Sequence, residues 1–350
     1  MSYSELDLRH LVKKEAHRVL GEGVIQLTRL SGDASNRIYH RCSIKGASLI
    51  VMELGANPLA SEEAIGGASP PQELPFIDVH RYLASGGVPV PEVYAYLKEE
   101  GLVLLEDLGD QTMESLVAGA GIPEQKELYK QALSELIRLQ QFAKSRQAGC
   151  ISFSRSFDFT LLRWELDHFR EWLLEADRQC FLDGPERETM TTSFDSIAEE
   201  LSRLPQVWVH RDFQSRNIMV QKTQGKCQLR LIDFQDALMG PPPYDIVALL
   251  RDSYVNLGLP LTTELLEFYL ENADIPLSKE EFRRAFWLQT VQRKLKDAGR
   301  FVFIDRIKHN PNFLSYIPTS LTYVRHALTC LPDHHCLAEL LARHIDELRH

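Results

Sequence analysis

Two kinds of hydrophobic spacing follow one another along the chain, and the change between them divides it. From Leu6 to Leu20 the apolar residues Leu8, Leu11, Val12, Ala16, Val19 and Leu20 recur at helical intervals, which predicts an opening helix. Three runs rich in β-branched and apolar residues follow, Val24 to Leu30, Arg37 to Ile44 and Ser48 to Leu54, each bounded by turn formers, and they read as strands. The first two flank Ser31-Gly32-Asp33-Ala34-Ser35-Asn36, small and polar throughout, which predicts a hairpin tip. Gly55 to Pro75 is rich in proline and glycine and reads as a loop, Phe76 to Ala84 as a short helix, and Leu102 to Leu105 as a strand running into Glu106-Asp107-Leu108-Gly109. Beyond that point the spacing becomes helical for long stretches, at Lys126 to Ala143, Leu161 to Leu174 and Ser193 to Leu201. The pattern predicts an α+β protein with a small strand-rich N-terminal lobe, residues 1–108, and a larger helical lobe, residues 109–350.

Composition narrows the class. At 350 residues, 44% hydrophobic and 25% charged, the chain is an ordinary globular protein large enough for two lobes, which excludes fibrous and wholly disordered readings. Its formal charge of −10 argues against a nucleic-acid partner, because phosphate backbones call for clustered Lys and Arg. Six scattered cysteines without a C-x-x-C pair suggest reduced thiols. Cys330, His334, His335 and Cys336 match no standard zinc spacing. An acidic N-terminus without an apolar leader, and no apolar run of about 20 residues, lead us to expect a cytoplasmic protein without a membrane partner.

The stretch that carries chemistry is Trp208-Val209-His210-Arg211-Asp212-Phe213-Gln214-Ser215-Arg216-Asn217-Ile218. It holds H-x-D with an Asn five positions after the Asp, and Asp233 follows that Asn by sixteen residues. Ile218 to Val220 and Gln228 to Ile232 read as two strands around the turn Thr223-Gln224-Gly225-Lys226, so a hairpin returns Asp233 toward Asn217. An Asn oxygen and an Asp carboxylate are hard ligands of the kind Mg²⁺ accepts while keeping waters and substrate phosphates. Asp212 beside them is placed as the base that orients an attacking hydroxyl, the arrangement of kinase-type phosphoryl transfer. Individually these residues are common in turns and caps; jointly, at this spacing, they point to a metal-assisted phosphotransferase.

On these residues the chain resembles the aminoglycoside phosphotransferase and choline kinase-like family, relatives of the protein kinases, over nearly its whole length. Within that family it is most similar to bacterial anomeric sugar kinases acting on N-acetylmuramate and N-acetylglucosamine, through Ser31 to Tyr39, Ser48 to Glu53, Leu105 to Gly109, Ile232 to Ala237, Tyr244 to Tyr254 and Gln292 to Phe301. The resemblance implies a bilobal protein kinase-like fold, ATP and Mg²⁺. It implies that Gly32, Asp33, Ala34, Ser35, Asn36 and Arg37 cover the nucleotide, that Glu106 to Leu108 form an adenine-binding hinge, that Asn217 and Asp233 hold the metal, and that Asp245 braces the catalytic loop. One departure stands out. Strand three offers Met52 where such kinases place a phosphate-pairing Lys, so Arg37 and Arg41 become the candidates for that charge.

The acceptor is expected to be small, because Pro241-Pro242-Pro243-Tyr244-Asp245 follows Asp233 too closely to leave room for the long activation segment that serves a peptide substrate. Val291 to Lys308 carries Arg293, Lys294, Lys296, Arg300, Arg306 and Lys308 against Asp297 and Asp305, a basic helix ill suited to a polycationic aminoglycoside. Its stripe Leu288, Val291, Leu295, Ala298 and Val302 faces a core, and Arg293, Lys296 and Arg300 share another face. That row is either solvated or, with Arg211 and Arg251, meets the lactyl carboxylate of N-acetylmuramate. The reading is therefore a monomeric sugar kinase. An aminoglycoside or other small-alcohol acceptor, and a nucleotide-binding pseudokinase suggested by the missing Lys, are the alternatives.

Overall fold

The computed structural model describes residues 3–30, 37–55, 73–146, 149–223 and 226–349. Its first half runs α1 (Glu5–Leu20), β1 (Gln26–Arg29), β2 (Ile38–Ile44), β3 (Ala47–Glu53), α2 (Pro75–Ser85), β4 (Val93–Leu97), β5 (Leu102–Glu106), α3 (Met113–Val117) and α4 (Ile122–Ser145). Next come α5 (Phe159–Phe169), α6 (Gly184–Ser202), β6 (Val207–Val209), β7 (Ile218–Thr223), β8 (Lys226–Leu231) and β9 (Leu238–Gly240). The chain finishes with α7 (Tyr244–Leu250), α8 (Gly258–Asn272), α9 (Lys279–Lys308), α10 (Ile317–Thr329) and α11 (His335–His344). No helix of the described residues is long and apolar enough to cross a membrane.

Two compact units emerge, and each is discontinuous in sequence. Unit 1 comprises residues 1–75, 89–111 and 219–232; unit 2 comprises 76–88, 112–218 and 233–350. A single boundary at 108/109 therefore does not describe the division: α2 groups with the helical unit, and the β7–β8 hairpin groups with the strand-rich one. Backbone hydrogen bonds explain the second exchange, since Val220 donates to the Gln111 carbonyl and Leu231 to that of Pro89, at 2.8 and 2.7 Å.

In unit 1 an antiparallel sheet has the order β1-β2-β3-β5-β4. Alternation places Cys42 and Ile44 of β2, Leu49 and Val51 of β3, and Leu102 and Leu104 of β5 in one core, closed by Leu8, Val12 and Ala16 of α1. These three helix residues stand at i, i+4 and i+8, one face of the predicted opening helix. Hydrophobic spacing gave no indication of β4, whose residues are all partly buried and so show no alternation, and which enters the sheet through a register shift between Val93 and Ala95.

Unit 2 is built around α9. A capping box starts this helix: Ser278 accepts from the Glu281 amide while the Glu281 carboxylate accepts from that of Ser278. The predicted stripe Leu288, Val291, Leu295, Ala298 and Val302 is completely buried. The opposite face differs from a solvated row, because Arg293 and Lys294 are also buried and Lys296 is 7% exposed. Close approach fixes the depth of the helix: a Cβ on Gly299 would lie 2.7 Å from both the His168 carbonyl oxygen and the Phe169 Cα of α5. The predicted helix Leu161 to Leu174 is α5 continued by a wider π-helical stretch, Arg170–Asp177. Trp164 and Trp172 flank His168 in a half-buried ring cluster that Phe303 of α9 joins.

Candidate active site

Strand β6 delivers the loop. It pairs antiparallel with β9, with Trp208 opposite Met239, and the Trp208 indole donates to the Ser152 hydroxyl at 2.9 Å, so the chain enters His210 from a fixed direction. From there almost every residue is tied down. The buried Asp245 carboxylate accepts from the His210 amide at 2.7 Å and the Arg211 amide at 3.0 Å, which is the bracing role that the resemblance implied. Arg211 is thereby held at φ 80, in the left-handed region, a conformation that persists where surrounding contacts over-determine it. Burial pushes the Asp245 carboxyl up to about 7, against the opposing pull of the two amides and of Arg293.

Asp212 follows, and its carbonyl accepts from the Gln214 amide and the Asn217 side-chain nitrogen, both at 2.9 Å. Asp212 and Asn217 are thus joined directly. Because the Asn217 nitrogen is committed to that carbonyl, its oxygen is the atom left to face a cation. Ser215 donates through both its amide and its hydroxyl to the buried Asp252 carboxylate, at 2.9 and 2.5 Å. Arg216 forks onto Glu114 of α3 at 2.7 and 3.1 Å, donates to the Tyr316 hydroxyl and stacks 3.6 Å from the Tyr254 ring centroid. Spacing reasoning missed Asp252 and Glu114. Asp252 stands in the turn two residues past α7, seven residues beyond Asp245.

Asp233 lies just past β8, and the pairing of β7 with β8 sets it at the same end of the ladder as Asn217. It adopts φ 65, and its Oδ1 accepts from Gln235 at 2.8 Å. Asp tolerates this backbone region better than bulkier residues do.

The cations of α9 are placed differently from an open carboxylate-binding row. Arg293, 1% exposed, donates through Nη1 to the Arg211 carbonyl at 2.8 Å and through Nη2 to Asp212 Oδ1 at 3.2 Å, and lies 4.8 Å from the Tyr244 ring centroid. Arg211 is 4% exposed, 3.6 Å from the Glu165 carboxylate and 5.5 Å from the Phe157 ring centroid. Neither of the two guanidiniums lies open at a surface. Lys294 pairs with Asp297 at 2.6 Å, and the Lys296 ammonium is 4.0 Å from the same carboxylate. Burial alone would raise the Asp297 carboxyl, but Lys294, Arg293 and Lys296 outweigh it and hold the group below the ordinary range.

In unit 1, Gly32 to Asn36 lie outside the described residues, and Arg37 stands half-buried just before β2. Arg41 is not open to phosphate: its guanidinium is chelated by Asp107, at 2.6 and 3.1 Å, and by Asp110, at 3.1 and 2.8 Å. Met52, opposite Tyr39 in the sheet, is fully buried, and the next residue is an acid, Glu53, 2.5 Å from His40 Nε2. Glu106 ends β5 and its carboxylate accepts from the Glu92 amide and pairs with Arg230, while Leu108 is buried. Asp107 also accepts from Ser48 and from the Gly109 amide, so the segment expected as a hinge is stiffened by side chains of unit 1.

Comparison with known proteins accords with this geometry. An N-acetylmuramate/N-acetylglucosamine kinase of Pseudomonas aeruginosa is 34% identical over 324 residues, covering 91% of this chain and 88% of its own. One of the same name from Pseudomonas putida is 31% identical, covering 90% and 87%. Among solved structures, the ADP-bound aminoglycoside phosphotransferase APH(2'')-Ib shares the fold, with a TM-score of 0.59 at 15% identity over 92% of this chain and 98% of that one. The expected α+β, protein kinase-like fold is thus present. The phosphotransferase enzyme family matches residues 26–286, which contain the whole loop from His210 to Asn217 and Asp233, and the chain is a member of that family.

Proposed function

We propose that the protein transfers the γ-phosphate of ATP to the anomeric hydroxyl of N-acetylmuramate or N-acetylglucosamine, with Asp212 as general base. The observation that carries this reading is the Asp212–Asn217 unit, in which one residue presents a carboxylate and the other, tied to its carbonyl, presents an amide oxygen. The names of the relatives supply the acceptor class.

The sugar hydroxyl donates its proton to an Asp212 carboxylate oxygen as its own oxygen forms the bond to the γ-phosphorus. The bond from that phosphorus to the β,γ-bridging oxygen breaks, ADP leaves, and the proton passes from Asp212 to solvent. Asn217 and Asp233 fit a hard cation by the chemistry of their oxygens and would hold Mg²⁺, which when bound neutralises charge on the nucleotide phosphates. Unit 1 supplies Gly32 to Arg37 against the nucleotide and the backbone of Glu106 to Leu108 against its base. The α9 row supplies the acceptor's carboxylate contact, and since Arg293 is engaged with Asp212, we assign that contact to Lys296 and to Arg300, one and two turns further on.

Phosphorus NMR with ATP, Mg²⁺ and a panel of N-acetylmuramate, N-acetylglucosamine and an aminoglycoside tests this. A new phosphate signal coupled to the C1 proton of an N-acetyl sugar is expected. ATP binding with no phosphate on any acceptor supports the pseudokinase reading, and a signal on the aminoglycoside alone overturns the acceptor assignment.

A further inference from the structure

The row of cations on α9 contains one member whose geometry serves a different purpose from substrate recognition. Arg293 is fully enclosed, and its two terminal nitrogens go to consecutive residues of the catalytic loop, one to the backbone carbonyl of Arg211 and one to the side chain of Asp212. From this we infer that Arg293 is a positioning residue for the general base: it fixes which carboxylate oxygen of Asp212 is turned to the acceptor hydroxyl. This rests on the role proposed above for Asp212.

A carboxylate rotates about χ2 in a broad, two-fold well, so backbone bracing alone leaves its oxygens interchangeable. Asp245 and the Asn217 amide hold only backbone atoms of this stretch. Arg293 holds a side-chain oxygen, and because the same planar group also holds the preceding carbonyl, backbone and carboxylate are fixed relative to each other. Oδ1 is then occupied and Oδ2 is the oxygen presented to the substrate. The guanidinium is itself fixed by the Tyr244 ring and by neighbouring Asp297, whose carboxylate lies 4.0 Å from Arg293 Nε. One residue on, Lys294 lies 3.2 Å from the hydroxyl of Ser253, the neighbour of the Asp252 that holds Ser215, so consecutive residues of α9 reach both ends of the loop's bracing. A lysine at 293 offers a point charge where two directed donors are needed.

The test compares wild type, Arg293→Lys and Arg293→Gln with the same changes in an Asp212→Asn background, following residual transfer with radiolabelled ATP. Arg293→Lys is expected to lower kcat roughly ten- to a hundred-fold, the scale of a misplaced catalytic group, with KM for ATP and for sugar changed less than about threefold. In the Asp212→Asn background the same substitution should cost less than about twofold, because there is no carboxylate left to orient. Unchanged kcat with a raised sugar KM overturns the inference in favour of direct acceptor binding. An equal loss in both backgrounds overturns it in favour of a structural role, and thermal melting of Arg293→Lys separates that outcome from misfolding. If wild type transfers phosphate to no acceptor, the proposed function fails rather than this assignment.

Discussion

In unit 1, Leu49, Val51, Leu102 and Leu104 are sealed beneath Leu8, Val12 and Ala16 of α1, and it is burial of apolar surface that makes this core. In unit 2 the loop from His210 to Asn217 is held by Asp245, Asp252, Glu114 and Arg293, polar groups arriving from three different helices and the turn after α7. Apolar contacts are non-directional, so the sheet core accepts many residue combinations of suitable volume. The loop needs each donor matched to one acceptor, and a buried polar group that loses its partner is costly. Unit 1 thus shows what alternation specifies, and unit 2 what geometry demands of a site.

The sharpest way to separate the two is to change one residue of each. Asp212→Asn is expected to lower kcat by about 10²–10⁴-fold, the usual contribution of a general base, while melting temperature and nucleotide affinity stay near wild type. A variant with retained turnover removes Asp212 from the role of base. Leu104→Ala should do the reverse, lowering stability in denaturant unfolding by about 2–5 kcal/mol while the folded fraction keeps its turnover.

Gly299→Ala joins the two behaviours. Its added methyl meets backbone of α5 at 2.7 Å, atoms that cannot swing aside, so α9 must shift and carry Arg293 with it. A loss of about 1–3 kcal/mol together with a fall in kcat is expected, and stability loss with kcat unchanged would mean that the loop tolerates movement of α9.

The smallest effect concerns pH. Burial raises the Asp245 carboxyl to about 7 from an ordinary value near 4, so the folded state binds its proton more tightly than the unfolded chain does. Its contribution to stability is complete below about pH 4 and is lost as pH rises through about 7. Asp245→Asn removes that dependence and exchanges an acceptor for a donor facing the loop amides. The variant should melt below wild type, with the gap narrowing between about pH 4 and 7 in thermal melts taken at half-unit intervals. A gap that widens with pH reverses the sign and places the proton elsewhere.

How far the sequence was readable follows the same division. Helical spacing located α1 and α4 and the stripe of α9, because each buries one face, and runs of β-branched and apolar residues located β2, β3 and β5, the last of which is buried on both faces. β4, whose residues are all partly buried, was not located. The H-x-D and Asn spacing was legible because a short loop followed by a hairpin constrains which side chains meet. Arg41 and Arg293 were visible only as cations: the sequence indicates charge, and charge alone does not distinguish a phosphate ligand from the partner of Asp107 and Asp110, or a substrate contact from the partner of Asp212.

What the order of residues determined unaided was therefore the local and periodic part: the helices and strands with one buried face, the acid–Asn pair five positions apart, and the later Asp returned by a hairpin. What only the tertiary structure decided was pairing at a distance, such as Asp245 with the amides of 210 and 211, Asp252 with Ser215, and Arg293 with Asp212 across 81 positions of chain. The reason is physical: periodicity expresses an interaction with an averaged apolar environment, whereas a hydrogen bond is an interaction between two particular atoms within about 3 Å, and that distance is set only when the whole unit has packed.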